Sequence, residues 1–217
     1  MNRFDPDGKY WNETKDEEYA KKLQQEMDNK AKSEQKSLDK LNAKIAKNQE
    51  ADKDVSKDQA KAAGMRANID NLNAGISELT AMGETKEQAF TYNMTDKDVG
   101  YTGIENGVAV MDIAGNGSVS NGIHESSHGY DLWKNGGKTT VGYGGNFIPG
   151  EEKAYGRQFS YDKSSLRSLS DFENPNSLND VNGRWVLGIQ SGGKYIYIEM
   201  NYPGRKPQDI LKTLRQK

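Results

Sequence analysis

Cysteine is absent from the 217 residues, and the chain has only two histidines and five prolines. Without cysteine it can form neither disulfides nor thiolate metal sites, so a zinc ion would have to be held by histidine, aspartate or glutamate. No apolar run approaches the roughly 20 residues of a membrane-spanning helix. The first residues also lack the apolar segment of a secretory signal. We therefore expect no insertion into a membrane and no export through a signal peptide.

A large excess of one charge sign is missing as well. The 30 lysines and arginines nearly balance the 32 aspartates and glutamates, which leaves a formal net charge of -2. Proteins that bind nucleic acid usually carry a marked positive charge, so we expect no nucleic-acid partner. Hydrophobic residues make up 33% of the chain and the mean hydropathy is -0.97. Part of the chain is therefore expected to lie outside a compact core.

Both histidines lie in one short motif, His124-Glu125-Ser126-Ser127-His128. On a helix, side chains four residues apart lie one turn apart on the same face. Two imidazoles at this spacing can hold one Zn²⁺ from one side, and Glu125 can accept a proton from a water on the metal. The alternative is a pair of solvated histidines on a surface helix. The motif favours a zinc-dependent hydrolase with His124 and His128 as ligands and Glu125 as general base.

A third protein ligand is needed, because catalytic zinc sites commonly use three and leave one position for water. With no further histidine and no cysteine in the chain, this ligand has to be an aspartate or a glutamate. Asp131 would lie on the same face of the motif helix, three residues after His128. Glu151 and Glu152 begin a second predicted helix, and two histidines from one helix with a glutamate from the next are typical of gluzincins. These residues alone leave all three acids as candidates.

Helix-forming residues dominate positions 12–82, which contain no proline and no glycine before Gly64. Apolar residues recur there at intervals of three and four in two seams, which is typical of helices that pack along one another. The seams are Leu38, Leu41 and Ile45, and Met65, Ile69, Leu72, Ile76 and Leu79. The polar stretch 48–56 predicts a turn, with Asp54 or Ser56 capping the second helix. We expect an antiparallel helical hairpin that serves as a spacer or as a surface for a partner.

Glycine becomes frequent in the second half of the chain, where all but four of the 23 glycines follow residue 83. We place a boundary near this residue and expect residues 83–217 to form one small domain. The predicted elements are a strand at 108–114, the motif helix at 120–134, a helix from Glu151 to about Tyr161, strands at 184–190 and 194–200 joined by a loop at 191–193, and a final helix at 208–216. The fold class is therefore α+β, a helical hairpin followed by a domain with a short antiparallel sheet.

The N-terminal segment 1–11 contains Asn2-Arg3-Phe4-Asp5-Pro6-Asp7-Gly8, which on its own is a turn signal. It also resembles the end of the core of Rhs-repeat proteins, where an Asp-Pro-x-Gly signature closes the encapsulating shell. In those proteins the segment that follows is the variable C-terminal toxin. This resemblance covers residues 2–8 only.

A second resemblance is carried by the run Glu151-Glu152-Lys153-Ala154-Tyr155-Gly156-Arg157-Gln158. It resembles the Glu-x-x-Ala-Tyr-x-x-Gln pattern of zincin-like toxin domains attached to Rhs proteins in Bacteroidetes-type bacteria. The resemblance implies that Glu151 is the third metal ligand and that Ala154 lets the two helices approach closely. Two features depart from the family, namely the small Ser126-Ser127 pair inside the motif and Gly156 within the second helix.

The resemblance implies a zinc-dependent metallopeptidase toxin, with Zn²⁺ as cofactor and a protein or peptide as substrate. It further implies a cognate immunity protein and delivery as a secreted effector by a specialised secretion system, usually type VI. Tyr155, or alternatively Tyr161, is considered as the donor to the oxyanion, since each lies close in sequence to Glu151. The strand at 108–114 precedes the motif helix, as the substrate-aligning edge strand does in zincins. It is expected to bind an extended peptide by strand addition.

Two other functions fit the same sequence. A zinc amidase that acts on cell-wall peptides would use the same ligands and the same base. A non-catalytic coiled-coil adaptor would instead make the long hairpin the functional element. Its metal site would be structural, with four protein ligands and no exchangeable water.

Overall fold

The structure is a computed structural model that describes residues 11–97, 99–137 and 147–216. The helices of these ranges are α1 (Thr14–Glu50), α2 (Ser56–Glu84), α3 (Val119–Lys134), α4 (Ile148–Asp162), α5 (Gly183–Leu187), α6 (Ile196–Asn201) and α7 (Pro207–Arg215). The strands are β1 (Ala89–Met94), β2 (Tyr101–Glu105) and β3 (Val108–Ile113). Short helical turns lie at Ala114–Gly117, Lys163–Leu166 and Leu178–Asp180.

α1 and α2 form the predicted antiparallel hairpin, with its turn at residues 51–55. The inner faces of the two helices bury most of the predicted apolar seams, including Leu38, Ile45 and Leu72. At the turn, Asp54 Oδ1 accepts a hydrogen bond from the Ser56 backbone amide at 2.9 Å. This bond satisfies the first free amide of α2. The sequence therefore predicts the hairpin, but the N-cap of α2 is Val55, which makes no side-chain cap, so the predicted capping by Asp54 or Ser56 is wrong.

The three strands form one sheet in the order β1-β3-β2. The sequence predicts an antiparallel sheet, but only β2 and β3 pair in this way, because β1 runs parallel to β3. The α+β class is confirmed, and so is the strand predicted at 108–114. That strand, β3, is paired on both sides, so its predicted role as an edge strand that adds a peptide is wrong.

The strands predicted at 184–190 and 194–200 are also wrong, because these segments contain the short helices α5 and α6. Trp185, Val186 and Leu187 are all buried, so the segment lacks the alternating solvent face of a half-buried strand. The Asn182 side chain accepts a hydrogen bond from the Trp185 amide and begins α5 as an N-cap. Burial and capping therefore outweigh the β propensity of these aromatic and branched residues.

The hairpin shares its hydrophobic core with the sheet and with α3. Leu23 of α1 and Met82 of α2 are buried in the same cluster as Phe90 of β1 and Met111 of β3. A second cluster of buried residues is built mainly from α4 to α7 and includes Trp185. α4 lies between the two clusters, since it contacts α2 and α3 as well as α5. The second predicted helix thus joins the two halves of the molecule.

Of the predicted N-terminal segment 1–11, only Trp11 is described. Its buried side chain stacks on Tyr92 with 5.3 Å between ring centroids. The Asn12 amide donates to the Phe90 carbonyl at 2.8 Å, so the chain runs along the outer edge of β1. The Rhs-like residues 2–8 lie outside the described residues.

The motif helix, the second helix and the final helix occur where the sequence predicts them, as α3, α4 and α7. α4 begins three residues early, at Ile148, and carries Pro149 in its first turn, where proline is well tolerated. Most of the loop predicted between α3 and α4 falls in residues 138–146, outside the described ranges. Within those ranges, no helix combines the length and apolar composition that crossing a membrane requires.

Candidate metal centre

The motif helix α3 is buried on two opposite faces. Gly122, Ser126 and Gly129 lie on one face and the two histidines on the other, as the helical repeat requires. A Cβ at position 122 would collide with the Tyr19 hydroxyl of α1, and one at position 129 with the Met111 sulfur of β3. Glycine at both positions therefore lets α3 sit close against α1 and the sheet. This close packing turns the histidine face toward α4.

The Ser126-Ser127 pair belongs to the packed side of α3. Ser126 Oγ donates to the Gly122 carbonyl at 2.6 Å and shares a hydrogen bond of 2.8 Å with the Tyr92 hydroxyl. Ser127 Oγ donates to the Ile123 carbonyl at 3.3 Å. Both buried hydroxyls are therefore satisfied. The two serines, at which the sequence departs from the toxin-domain pattern, therefore take part in the packing of α3 and not in the histidine cluster.

His124 and His128 of α3 and Glu151 of α4 form one compact cluster. The two Nε2 atoms lie 3.1 Å apart. Glu151 Oε2 is 3.5 Å from His124 Nε2, and Glu151 Oε1 is 3.4 Å from His128 Nε2. Among the described residues, these three side chains are the group of histidines and acids whose ligand atoms all lie within 4.8 Å of one another. The structure thus brings together the three residues that the sequence analysis names as ligands.

The spacing of these atoms fits a zinc ion. Zinc bonds to nitrogen and oxygen are about 2.0–2.1 Å long, so the ligand atoms of a tetrahedral site lie about 3.3–3.4 Å apart. The Nε2–Nε2 separation of 3.1 Å and the 3.4–3.5 Å from each Nε2 to the Glu151 oxygen that faces it are close to this value. With one atom from each residue, the three ligand atoms lie within 4.8 Å of one another, and imidazole and carboxylate are both ligands that zinc accepts. One feature departs from common zinc sites: among the described residues, the buried Nδ1 of His124 has no hydrogen-bond partner.

The charges of the cluster are strongly coupled. Burial alone would lower the pKa of His128, but the adjacent Glu151 carboxylate outweighs it and raises that pKa to about 9. Burial would likewise raise the pKa of Glu151, yet the two imidazoles, His128 above all, hold it well below its usual range. Glu151 is therefore a carboxylate that faces positive charge, which is the environment that a bound cation would also provide.

Glu125 lies on the wall of the same cleft and is held by the edge strand β2. Thr102 Oγ1 donates to Glu125 Oε2 at 2.8 Å. A Cβ at position 100 would lie 2.7 Å from the Glu125 carboxyl carbon and 2.8 Å from the Asp112 carbonyl oxygen. The space for this carboxylate therefore exists only because residue 100 is glycine. The structure brings the predicted general base next to the predicted metal ligands.

The tyrosines considered as oxyanion donors are separated by the fold. Tyr161 donates its hydroxyl to Glu26 of α1 at 3.1 Å, away from the histidines. Tyr155 packs edge-on against the His124 ring, with 4.3 Å between centroids, and its hydroxyl lies 3.1 Å from that of Tyr197. Burial raises the pKa of both Tyr155 and Tyr197 above the usual value, so both phenols keep their protons at neutral pH. Tyr155 as an oxyanion donor stays a prediction.

The other acids considered as third ligands have different surroundings. Asp131 Oδ1 forms a salt bridge with Lys153 Nζ at 2.6 Å. The Glu152 carboxylate lies beside Gly183, on the other side of α4. Neither is part of the histidine cluster. The third ligand atom close to the two imidazoles is therefore that of Glu151.

A cleft of about 730 Å³ leads to the cluster. One wall is formed by Val99, which precedes β2, and by Tyr101 and Thr102 at the start of that strand. The other wall comes from the C-terminal part of the chain and combines apolar side chains with polar ones such as Gln190 and Ser191. It includes Leu169, Ile189, Ile196 and Met200. The cluster is buried but can be reached from this cleft, as an active site requires.

Three residues that hold the site in place were missed by sequence reasoning. Thr102 and Gly100 flank Glu125, and Tyr197 donates a hydrogen bond to Glu151 Oε2 at 2.8 Å. Thr102 and Gly100 lie in an ordinary glycine-containing stretch, and Tyr197 lies in a segment that resembles a strand. No local pattern relates them to the motif, because only the folded chain brings them to it.

Comparison of the chain with protein-family models, with curated proteins and with solved structures finds no match in any of the three. The functional assignment therefore rests on the chemistry of the residues themselves.

Proposed function

We propose that this chain is a zinc-dependent metallopeptidase that hydrolyses peptide bonds and acts as a toxin. The observation that carries the proposal is the cluster of His124, His128 and Glu151, in which the two Nε2 atoms lie 3.1 Å apart and each lies 3.4–3.5 Å from one oxygen of Glu151. Glu125 adds a second carboxylate on the wall of the same cleft. Burying imidazoles and carboxylates together is unfavourable unless they are paired, so such clusters occur preferentially at functional sites.

The residues have distinct roles in the proposed reaction. Zinc held by the three ligands supplies two effects, since it polarises a carbonyl group and lowers the pKa of a water toward 7. Glu125 accepts the proton of the attacking water at its carboxylate and then passes it to the departing amine. Thr102 keeps this carboxylate in one orientation by holding its Oε2 atom. The proton acceptor is thus fixed before the substrate binds.

An extended peptide is the substrate that suits the cleft. The outer edge of β2 pairs with no other strand in the described part of the chain. A peptide that adds to this edge would pass next to Glu125, because Thr102 of β2 already contacts that residue. The sequence assigns the substrate-aligning role to residues 108–114. In this proposal, β2 has that role instead.

The toxin part of the proposal is supported by the two resemblances. Residues 2–8 resemble the end of an Rhs core, and residues 151–158 resemble zincin-like toxin domains. A cell that makes such a toxin needs protection from it, so we expect a cognate immunity protein as partner. Delivery as a secreted effector by a specialised secretion system belongs to the same proposal.

A catalytic site is favoured over a structural one. Structural zinc sites are closed by four protein ligands, whereas catalytic sites use three and keep one position open. The described residues bring three ligands together, and the cleft reaches them. This arrangement favours an enzyme over an adaptor that uses zinc only for stability.

The proposal is tested by assaying peptide cleavage and zinc content in the wild-type chain, Glu125→Gln and Glu152→Gln. We expect Glu125→Gln to keep its zinc and its fold but to lose turnover by about 100-fold or more. Glu152→Gln removes a neighbouring carboxylate outside the cluster and should retain wild-type activity. Chelation with EDTA should abolish cleavage by the wild-type chain. Activity that survives either EDTA or Glu125→Gln would contradict the proposal.

A further inference from the structure

We propose that Tyr197 is a positioning residue that orients Glu151 for metal binding. It lies on α6, 46 residues after Glu151, and its hydroxyl donates to Glu151 Oε2 at 2.8 Å. The same hydroxyl lies 3.1 Å from that of Tyr155. Tyr197 therefore connects the C-terminal part of the chain to the metal centre. The inference rests on the metal site of the proposed function but not on the identity of the substrate.

The direction of the two hydrogen bonds follows from the chemistry of the groups. An ionised carboxylate only accepts hydrogen bonds, so the Tyr197 proton points to Glu151. The Tyr197 oxygen can then only accept from Tyr155, whose hydroxyl has to be the donor. The chain of bonds runs from Tyr155 to Tyr197 to Glu151. In this arrangement Tyr155 supports Tyr197.

The hydrogen bond matters because the Glu151 carboxylate can rotate about its terminal bond. In the cluster its Oε1 faces His128 and its Oε2 faces His124 and Tyr197. The bond from Tyr197 selects this orientation, in which both oxygens are directed toward the imidazoles. Partners of this kind around a metal ligand commonly contribute about 10–100-fold to metal affinity.

Packing holds Tyr197 where it can act. Its side chain is only 6% exposed, so water cannot readily replace its hydroxyl. The Tyr155 ring packs edge-on against both Trp185 and Tyr197, with 5.4 and 6.3 Å between centroids. A side chain fixed in this way holds its hydrogen bond without paying further rotamer entropy on metal binding.

The test measures the zinc Kd of the full chain by competition with a chelator, and the Tm of the metal-free chain. The variants are Tyr197→Phe and, as the matched control, Tyr195→Phe. Tyr195 lies two residues earlier, its ring is partly buried, and its hydroxyl donates to Asp171 outside the cleft. We expect Tyr197→Phe to raise the zinc Kd by about 10–100-fold and Tyr195→Phe to leave it unchanged.

A second variant tests the order of the bonds. Tyr155→Phe should weaken zinc binding less than Tyr197→Phe does. Adding it to Tyr197→Phe should change the Kd no further, because Tyr155 acts on Glu151 through Tyr197. A residue with a structural role alone would lower the Tm of the metal-free chain and leave the zinc Kd as it was.

The possible results are distinguishable. A zinc Kd for Tyr197→Phe within a factor of three of wild type would overturn the inference and leave the proposed function intact. A Tyr197→Phe chain that stays unfolded in saturating zinc would also count against it, because the hydroxyl would then serve the core. A wild-type chain that binds no zinc would refute the proposed function itself. Zinc binding without peptidase activity would refute only the peptidase assignment.

Discussion

Single hydroxyl groups hold both carboxylates of the candidate site. Thr102 donates to Glu125 and Tyr197 donates to Glu151, each at 2.8 Å. Hydrogen bonds to charged groups contribute about 1.5–3 kcal/mol, roughly twice as much as neutral ones. Because the proposed function makes Glu125 the base and Glu151 a ligand, the two hydroxyls should affect different properties of the site.

Thr102→Val removes the hydroxyl beside the general base while keeping the shape of the side chain. We expect it to lower kcat by about tenfold, because Glu125 loses its fixed orientation, and to leave the zinc Kd unchanged. Steady-state kinetics and zinc titration of the same preparation provide the measurement. Thr213→Val, on the exposed face of α7, is the control and should alter neither value. An equal loss of zinc affinity in Thr102→Val would show that Thr102 serves the whole cluster.

The reactive residues were predictable at this scale because their relation is local. His124 and His128 share a helix face through their spacing alone, and Glu125 follows from its place between them. Glu151 required the resemblance to choose it over Glu152 and Asp131. Thr102 and Tyr197 act across 23 and 46 residues of sequence, so only tertiary packing relates them to the motif.

At the scale of secondary-structure elements, the hairpin supports the helix that carries Glu151. Arg157 of α4 donates to the Asn71 carbonyl at 2.6 Å and to Glu78 Oε1 at 3.0 Å, both on α2. Lys153 joins Glu78 to Asp131 of α3 at 3.0 and 2.6 Å. This partly buried network links α2, α3 and α4. The half of α2 near its C-terminus is thus part of the body of the protein and more than a spacer.

Two of the three glycines of α2, Gly64 and Gly75, distinguish the free part of the hairpin from the part packed on the body of the protein. Among the described residues, no atom lies within 4 Å of a Cβ at position 64, whereas one at position 75 would lie 3.0 Å from the Met27 sulfur and 3.3 Å from Arg157 Cδ. We expect Gly64→Ala to raise the free energy of unfolding by about 1 kcal/mol, because alanine favours helix. Gly75→Ala should not raise the free energy of unfolding, because the added methyl group would crowd Arg157, which Asn71 and Glu78 hold in place. Urea unfolding of both variants provides the measurement, and an equal gain would contradict the packing described here.

The elements that the sequence predicts correctly are those with a clear helical repeat or a short apolar strand. The hairpin, α3 and β3 belong to this group. β1 and β2 have weak patterns, and α5 and α6 carry residues that favour strands, such as Val186 and Ile198. Those two helices form because their apolar side chains are buried together with α4, a condition that no local pattern reveals.

At the scale of the whole molecule, the candidate site lies where two hydrophobic clusters meet. The motif helix belongs to the cluster shared by the hairpin and the sheet, and Tyr155 and Tyr197 belong to the C-terminal cluster. The C-terminal residues thus supply one wall of the cleft as well as the support of a ligand. Because the sequence predicts a strand pair for this region, it does not predict that wall.

The lining of the cleft predicts which peptides the proposed peptidase would cleave. The C-terminal wall presents four apolar side chains beside polar ones such as Gln190 and Ser191, and the rest of the lining carries the acids Glu125, Asp131 and Glu151 but no lysine or arginine within the described residues. We therefore expect cleavage next to bulky apolar residues and poor cleavage next to aspartate or glutamate. A peptide library analysed by mass spectrometry provides the measurement. A preference for acidic residues would contradict this description of the cleft.

The central claim is that one zinc ion is held by two imidazoles and one carboxylate, with a position left for water. X-ray absorption at the zinc edge, on the full chain with one equivalent of zinc, tests it most directly. We expect two imidazole nitrogens and two oxygens at about 2.0–2.1 Å. Scattering from a shell of oxygens alone, without imidazole, would contradict the claim.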